Sequence, residues 1–153
     1  MLLFLDFDGV MHPRAPAGKY FSNLHRLEAV LRDYQFLRIV ISSTWREGMG
    51  LEALKGHFSL DLRQRIVGVT PIHDVDPFDE ITGSRQREVE AYLVHAADQT
   101  ELWLALDDEE RLYDPECPNL IKCQSQIGLD EKAEAELRTR LNAALTGNSP
   151  DFM

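Results

Sequence analysis

Cysteine is scarce in this chain: Cys117 and Cys123 are the only two among 153 residues. Two thiols six positions apart make no disulfide framework, and the plain expectation is a pair of reduced side chains. Apolar stretches are short as well. The first, residues 1–5, stops at Asp6. That is too soon for the apolar core of a secretory signal, and far short of the ~20 residues that span a bilayer. A cytoplasmic location is therefore expected. Basic residues are outnumbered, 16 against 26 acidic, for a formal net charge of −10. This balance argues against anionic membranes as partners and against strong non-specific binding to DNA or RNA. A local basic pocket for one phosphate stays open. Repeats and low-complexity segments are missing, and glycine and proline are scattered rather than gathered into a linker. One domain is expected over residues 1–145, with a disordered tail at 146–153.

Five brief apolar runs stand out: residues 2–5, 37–41, 66–69, 102–106 and 120–123. Apolar side chains at successive positions suit parallel strands covered on both faces. Helical spacing fills the gaps. Leu24, Leu27, Val30, Leu31 and Tyr34 recur at threes and fours, with Ser22 as the expected cap. Val89, Tyr92, Leu93 and Ala96 follow Gly83-Ser84. Ala133, Leu137, Leu141 and Leu145 follow Asp130 as N-cap, and Leu51, Leu54 and Phe58 mark a weaker helix. Strand and helix alternate, so the expected fold is α/β: a three-layer α/β/α sandwich around a mainly parallel five-stranded sheet.

In such folds ligands bind beyond the carboxyl ends of the strands. There the runs end in polar residues: Asp6-Phe7-Asp8-Gly9 after the first, Ser42-Ser43-Thr44-Trp45-Arg46 after the second, Asp107-Asp108 after the fourth. Two unit charges about 4 Å apart repel by about 4 kcal/mol at an effective dielectric of 20. Four carboxylates on one rim call for protons or a cation, and a hard ion with oxygen ligands, Mg²⁺, fits best. Any one aspartate alone reads as a turn residue; two clusters closing two buried strands favour a metal site. Asp6 and Asp8 flank Phe7, so both can face the rim, one to attack phosphorus and one to handle the leaving-group proton. Ser42 or Ser43 is a candidate phosphate ligand, with a helix cap as the competing role. Arg46 is a candidate substrate clamp against a plain surface arginine. Arg85, in the first turn of its helix, can reach the same rim.

These residues resemble the haloacid dehalogenase-like (HAD) superfamily of phosphohydrolases. Asp6-Phe7-Asp8-Gly9-Val10 resembles its first motif and Ser42 its second. Arg85 stands where the third usually has lysine, and Asp107-Asp108 resembles the fourth. The resemblance implies a Rossmann-like core and Asp6 as the nucleophile that forms an aspartyl-phosphate. It implies Asp8 as general acid and then base. Mg²⁺ would be held by Asp6, the Asp8 carbonyl and Asp107 or Asp108, and the phosphoryl group by Ser42 and Arg85. The spacing between motifs leaves no room for a sizeable cap domain. Loops 11–21 and 71–82 are then the expected walls. Ser43-Thr44-Trp45-Arg46 with His12-Pro13 is similar to capless HAD domains of bacterial RNA-repair proteins, which implies a nucleotide or polynucleotide end as substrate. A receiver-type phosphoacceptor also gathers strand-end carboxylates, but its acceptor closes a middle strand, where Ser42 stands here. A catalytically retired binding module is the third reading, against which both aspartates speak. Trp103 is expected to pack in its strand and His12 to be hydrogen-bonded. Trp45 either packs or stacks on a base, and His73-Asp74-Val75-Asp76 is taken as a polar loop.

Overall fold

The computed structural model describes residues 1–72, 81–96 and 102–147. Within them five strands run parallel in one sheet: β1 (Leu2–Leu5), β2 (Arg38–Ile41), β3 (Ile66–Val69), β4 (Trp103–Asp107) and β5 (Leu120–Lys122). Their order is β3-β2-β1-β4-β5. The helices are α1 (Leu24–Asp33), α2 (Leu51–Lys55), α3 (Ser84–Val94) and α4 (Glu131–Thr146). No separate cap domain interrupts them.

Strand alternation explains why the apolar runs are continuous. Leu3, Leu5, Ile39, Ile41, Leu104, Leu106 and Ile121 point to one face, where α1, α2 and α4 supply Leu27, Leu31, Leu54, Leu137 and Leu141. Leu2, Phe4, Val40 and Ala105 point to the other, under Val89 of α3 and Tyr113. Phe4 has Tyr92 and Trp103 edge-on at 5.8 Å each. Truncating such a buried ring, as in Phe4→Ala, costs about 3–5 kcal/mol.

From β1 the chain moves outward to β2 and β3, then returns through α3 to β4 on the other side of β1. The topological switch therefore lies between β1 and β4, and the crevice forms beyond their carboxyl ends. Asp6 and Asp107-Asp108 stand there.

Some local expectations shift. The cap of α1 is Asn23, not Ser22, and its side chain makes no capping bond. Its amide donates instead to Val10 O (3.1 Å) and Ile127 O (2.9 Å). Asp130 does cap α4, accepting from Ala133 N at 2.9 Å. That helix runs through Thr146 and closes on left-handed Gly147. The rest of the expected tail, 148–153, lies outside the described residues, as does His73-Asp74-Val75-Asp76. Three short 3-10 segments, Thr44–Glu47, Leu60–Arg65 and Glu110–Leu112, have no counterpart in the sequence reading. Both cysteines are free thiols. Among the described residues no helix is long and apolar enough to cross a membrane.

Candidate active site

The carboxylates of Asp6, Asp107 and Asp108 are buried and offer ligand oxygens that all lie within 4.8 Å of one another. Two of these residues follow directly from β1 and β4, which pair in register through Leu5 and Leu106. Asp6 Oδ1 accepts from its neighbour Phe7 N at 2.9 Å. Arg85, buried in the first turn of α3, places Nη1 3.4 Å from Asp6 Oδ1 and 3.4 Å from Asp107 Oδ2. Asp107 also accepts from Glu109 N (3.0 Å) and from the buried Tyr113 hydroxyl (3.4 Å). Burial pushes the Asp6 carboxyl well above its ordinary range; Asp107 adds to the rise, and Arg85 opposes it. Asp107 is raised to about 6, again chiefly by burial, with Arg85 and the Glu109 N–H pulling the other way.

Gly9 lets this cluster close. Its φ is +78°, and a Cβ there would stand 2.2 Å from Asp108 Oδ2, so any other residue is excluded by backbone conformation and by contact alike.

Asp8 sits beside the cluster rather than in it, with its side chain 36% exposed. His12 Nδ1 accepts from Phe21 N (3.2 Å), which places the proton of the neutral ring on Nε2; that atom is 2.8 Å from Asp8 Oδ1. Trp45 Nε1 donates to both Asp8 oxygens, at 3.3 and 3.2 Å. Trp45 is itself packed edge-on against Phe7 and Phe21. The indole thus packs, and its one polar atom orients Asp8.

The second strand end separates its two serines. Ser43 Oγ accepts from Trp45 N at 3.2 Å and caps the 3-10 turn. Ser42 Oγ is buried without a hydrogen-bond partner. Arg46, expected at the substrate, is turned into the fold. Its guanidinium donates to Thr70 O, Ser42 O, Ser43 O and Pro71 O, and to Glu88 Oε2 at 2.5 Å. No N–H is left for a ligand. Arg85 Nε, 3.9 Å from Glu88 Oε1, and Thr70 Oγ1 are also buried without a hydrogen-bond partner. Three of the four such atoms among the described residues therefore belong to residues that follow β2 and β3 or open α3.

On the far side Asp108 is bound firmly. Arg14 donates through Nε to Oδ2 (2.9 Å) and through Nη2 to Oδ1 (3.0 Å), and Ser125 Oγ donates to Oδ2 at 2.7 Å. Arg14 N also donates to Ser125 O at 2.8 Å. The loop after β1 is thereby clasped to the loop after β5. Of the expected wall 11–21, Pro13, Arg14 and Ala15 line a cavity together with Ser125 and Gln126; most of the other expected wall, 71–82, lies outside the described residues.

Arg14, Tyr113 and Ser125 escaped the sequence reading. Arg14 stands between two prolines beside the first acidic motif, and Ser125 lies just past a strand end, so both carried a positional hint. Tyr113 carried none. Arg87 is an exposed partner of Asp114, as a surface residue should be.

The donor set suits Mg²⁺: oxygen ligands only, from three clustered carboxyls, two of which burial holds protonated above the usual range. In comparisons with known proteins, residues 2–133 match the family model described as the HAD domain in Swiss Army Knife RNA repair proteins. No curated protein and no solved structure gives a match.

Proposed function

Because this chain belongs to the family of HAD domains of Swiss Army Knife RNA repair proteins, we propose that it is a Mg²⁺-dependent phosphomonoester hydrolase with Asp6 as nucleophile. Family membership supports a phosphohydrolase-type function. The observation that carries the finer reading is the convergence of Asp6, Asp107 and Asp108 at the β1–β4 switch, with Arg85 between two of them.

Asp6, the Asp8 main-chain carbonyl and Asp107 would hold the ion. Asp107 is favoured over Asp108 because the three short hydrogen bonds from Arg14 and Ser125 already occupy the latter. Mg²⁺ supplies charge neutralisation at the phosphoryl oxygens. Asp6 Oδ2 attacks phosphorus; a P–O bond forms to the carboxylate and the P–O bond to the leaving group breaks. Asp8, steadied by His12 and Trp45, gives its proton to the departing oxygen. It then takes a proton from the water that displaces phosphate from Asp6 and restores the carboxylate. Ser42 and Arg85 bind the phosphoryl oxygens. The family's association with RNA repair favours a nucleotide or polynucleotide end as the ester.

The test is turnover of a simple alkyl phosphate, sugar phosphates and nucleoside monophosphates with Mg²⁺ or with chelator. Turnover should need the ion, and Asp6→Asn should lower kcat by at least about a thousandfold. Equal rates in wild type and variant would overturn the assignment.

A further inference from the structure

Between the two clasped loops lies a cavity of about 440 Å³, lined by Pro13, Arg14, Ala15, Ser125 and Gln126. It opens one side chain away from the acidic cluster, because Arg14 and Ser125 both hydrogen-bond Asp108. Its volume is that of small-molecule sites, about 300–1,000 Å³.

Arg14 decides what such a cavity can hold. Asp108 takes Nε and Nη2 as a fork, and Glu109 Oε1 lies 2.7 Å from Nη2. Two carboxylates outweigh the single positive charge, so the guanidinium is a poor trap for a second phosphate. Hydrogen bonds to carboxylates lie in the guanidinium plane. The side chain is nevertheless 47% exposed. What it can still offer is the Nη1 amino group and its flat face, held by the partners of Nε and Nη2, and flat faces of arginine stack on aromatic rings. Pro13 and Ala15 add apolar walls, and the exposed Gln126 brings an amide with both donor and acceptor. Flat surface, apolar wall and amide edge together fit a heteroaromatic ring with its own donors and acceptors.

We propose that this cavity is a nucleobase subsite: Arg14 stacks on the base attached to the scissile phosphate, and Gln126 reads the base's hydrogen-bonding edge. The subsite rests on the phosphohydrolase reading and adds to it the residues that recognise the nucleoside part of the ester. The base comes either from a mononucleotide or from the terminal unit of a polynucleotide.

The experiment compares kcat/KM for a nucleoside 5′-monophosphate, ribose 5-phosphate and a dinucleotide with the same terminal phosphate. It uses the full chain and the variants Ala15→Trp, Gln126→Ala and Arg14→Lys. Wild type should prefer the nucleotide over ribose 5-phosphate by about tenfold or more, the usual scale of one base–side-chain stack. Filling the cavity with Ala15→Trp should collapse that ratio, Gln126→Ala should lower it and change the order among bases, and Arg14→Lys should lower it while keeping the charge. If Arg14→Lys does not fold, the other two variants, which leave Asp108 untouched, decide. A dinucleotide faster than the mononucleotide identifies a polynucleotide end; the reverse order identifies a free nucleotide; both support the subsite. Binding of the same ligands to Asp6→Asn protein, followed by calorimetry, should show the same ratios. Turnover with equal kcat/KM for nucleotide and ribose 5-phosphate, unmoved by Ala15→Trp, overturns the subsite and leaves the hydrolase reading standing. Absence of turnover on every phosphate, with no binding to Asp6→Asn, sinks the hydrolase reading itself.

Discussion

A buried hydroxyl without a partner costs about 1–3 kcal/mol relative to a satisfied one, and Thr70 carries one at 1% exposure. Valine has nearly the same shape without the polar atom. Thr70→Val leaves the Thr70 carbonyl free to hold Arg46 and should raise the melting temperature of the ligand-free protein by about 2–4 °C. A lower melting temperature would show that the hydroxyl has a partner after all. The serines next to it should diverge. Ser43→Ala loses the cap on Trp45 N and should cost about 1 kcal/mol of stability with modest effect on rate. Ser42→Ala removes an orphan and should cost about a hundredfold in kcat with no loss of stability. Melting curves and kinetics on the same two preparations separate these outcomes. The residues by themselves narrowed the phosphate ligand to this pair, and only the family resemblance pointed to Ser42. Adjacent serines at a strand end have the same composition and the same neighbours; only the turn that follows decides which hydroxyl is spent on the backbone.

Two part-buried arginines, Arg65 and Arg46, do for the elements what no periodic pattern announces. Arg65, in the 3-10 turn before β3, donates to the carbonyls of Leu31, Tyr34 and Leu37 at 3.0, 2.7 and 2.8 Å. It thereby serves the unsatisfied carboxyl end of α1 and the start of β2. Arg46 ties the ends of β2 and β3 to Glu88 of α3. Arg65→Ala should cost about 2–3 kcal/mol in urea unfolding and leave Mg²⁺ affinity unchanged, because its contacts are remote from the acidic cluster. Should Mg²⁺ affinity fall with it, the two regions are coupled and the separation fails. Arg65 and Arg46 show where reading from sequence ends. Strands and long helices were legible because burial on one or both faces imprints a period on the chain. An arginine at a strand end imprints nothing: clamp and tie have the same letter. The 3-10 turns were equally silent, being too short to repeat.

Taken over the full fold, the acidic net charge and the convergence of three carboxyls at one sheet edge set how stability depends on pH and on the ion. Asp107 has its folded pKa raised to about 6, mainly by burial, and Asp6 is raised for the same first reason. Between the ordinary carboxylate value and about pH 6 the folded state therefore binds more protons than the unfolded one, and stability falls as pH rises. The contribution is fully present below the unfolded pKa and is lost as the pH passes the folded one. For Asp107 alone the loss is on the order of 3 kcal/mol. Ion-paired surface carboxylates such as Asp61 act in the opposite sense, so the useful quantity is the difference between wild type and Asp107→Asn. In chelator, wild type should lose stability relative to that variant as pH goes from about 4 to about 7. Mg²⁺ competes with the protons for the same oxygens. Its stabilising shift in melting temperature should therefore be small near pH 5, large near about pH 8, and missing in Asp107→Asn. A Mg²⁺ shift equal at both pH values would mean that the ion binds elsewhere. The three carboxyls would then be held together by protons and by Arg85, Arg14, Tyr113 and Ser125, as an internal hydrogen-bonded cluster with no part in phosphoryl transfer.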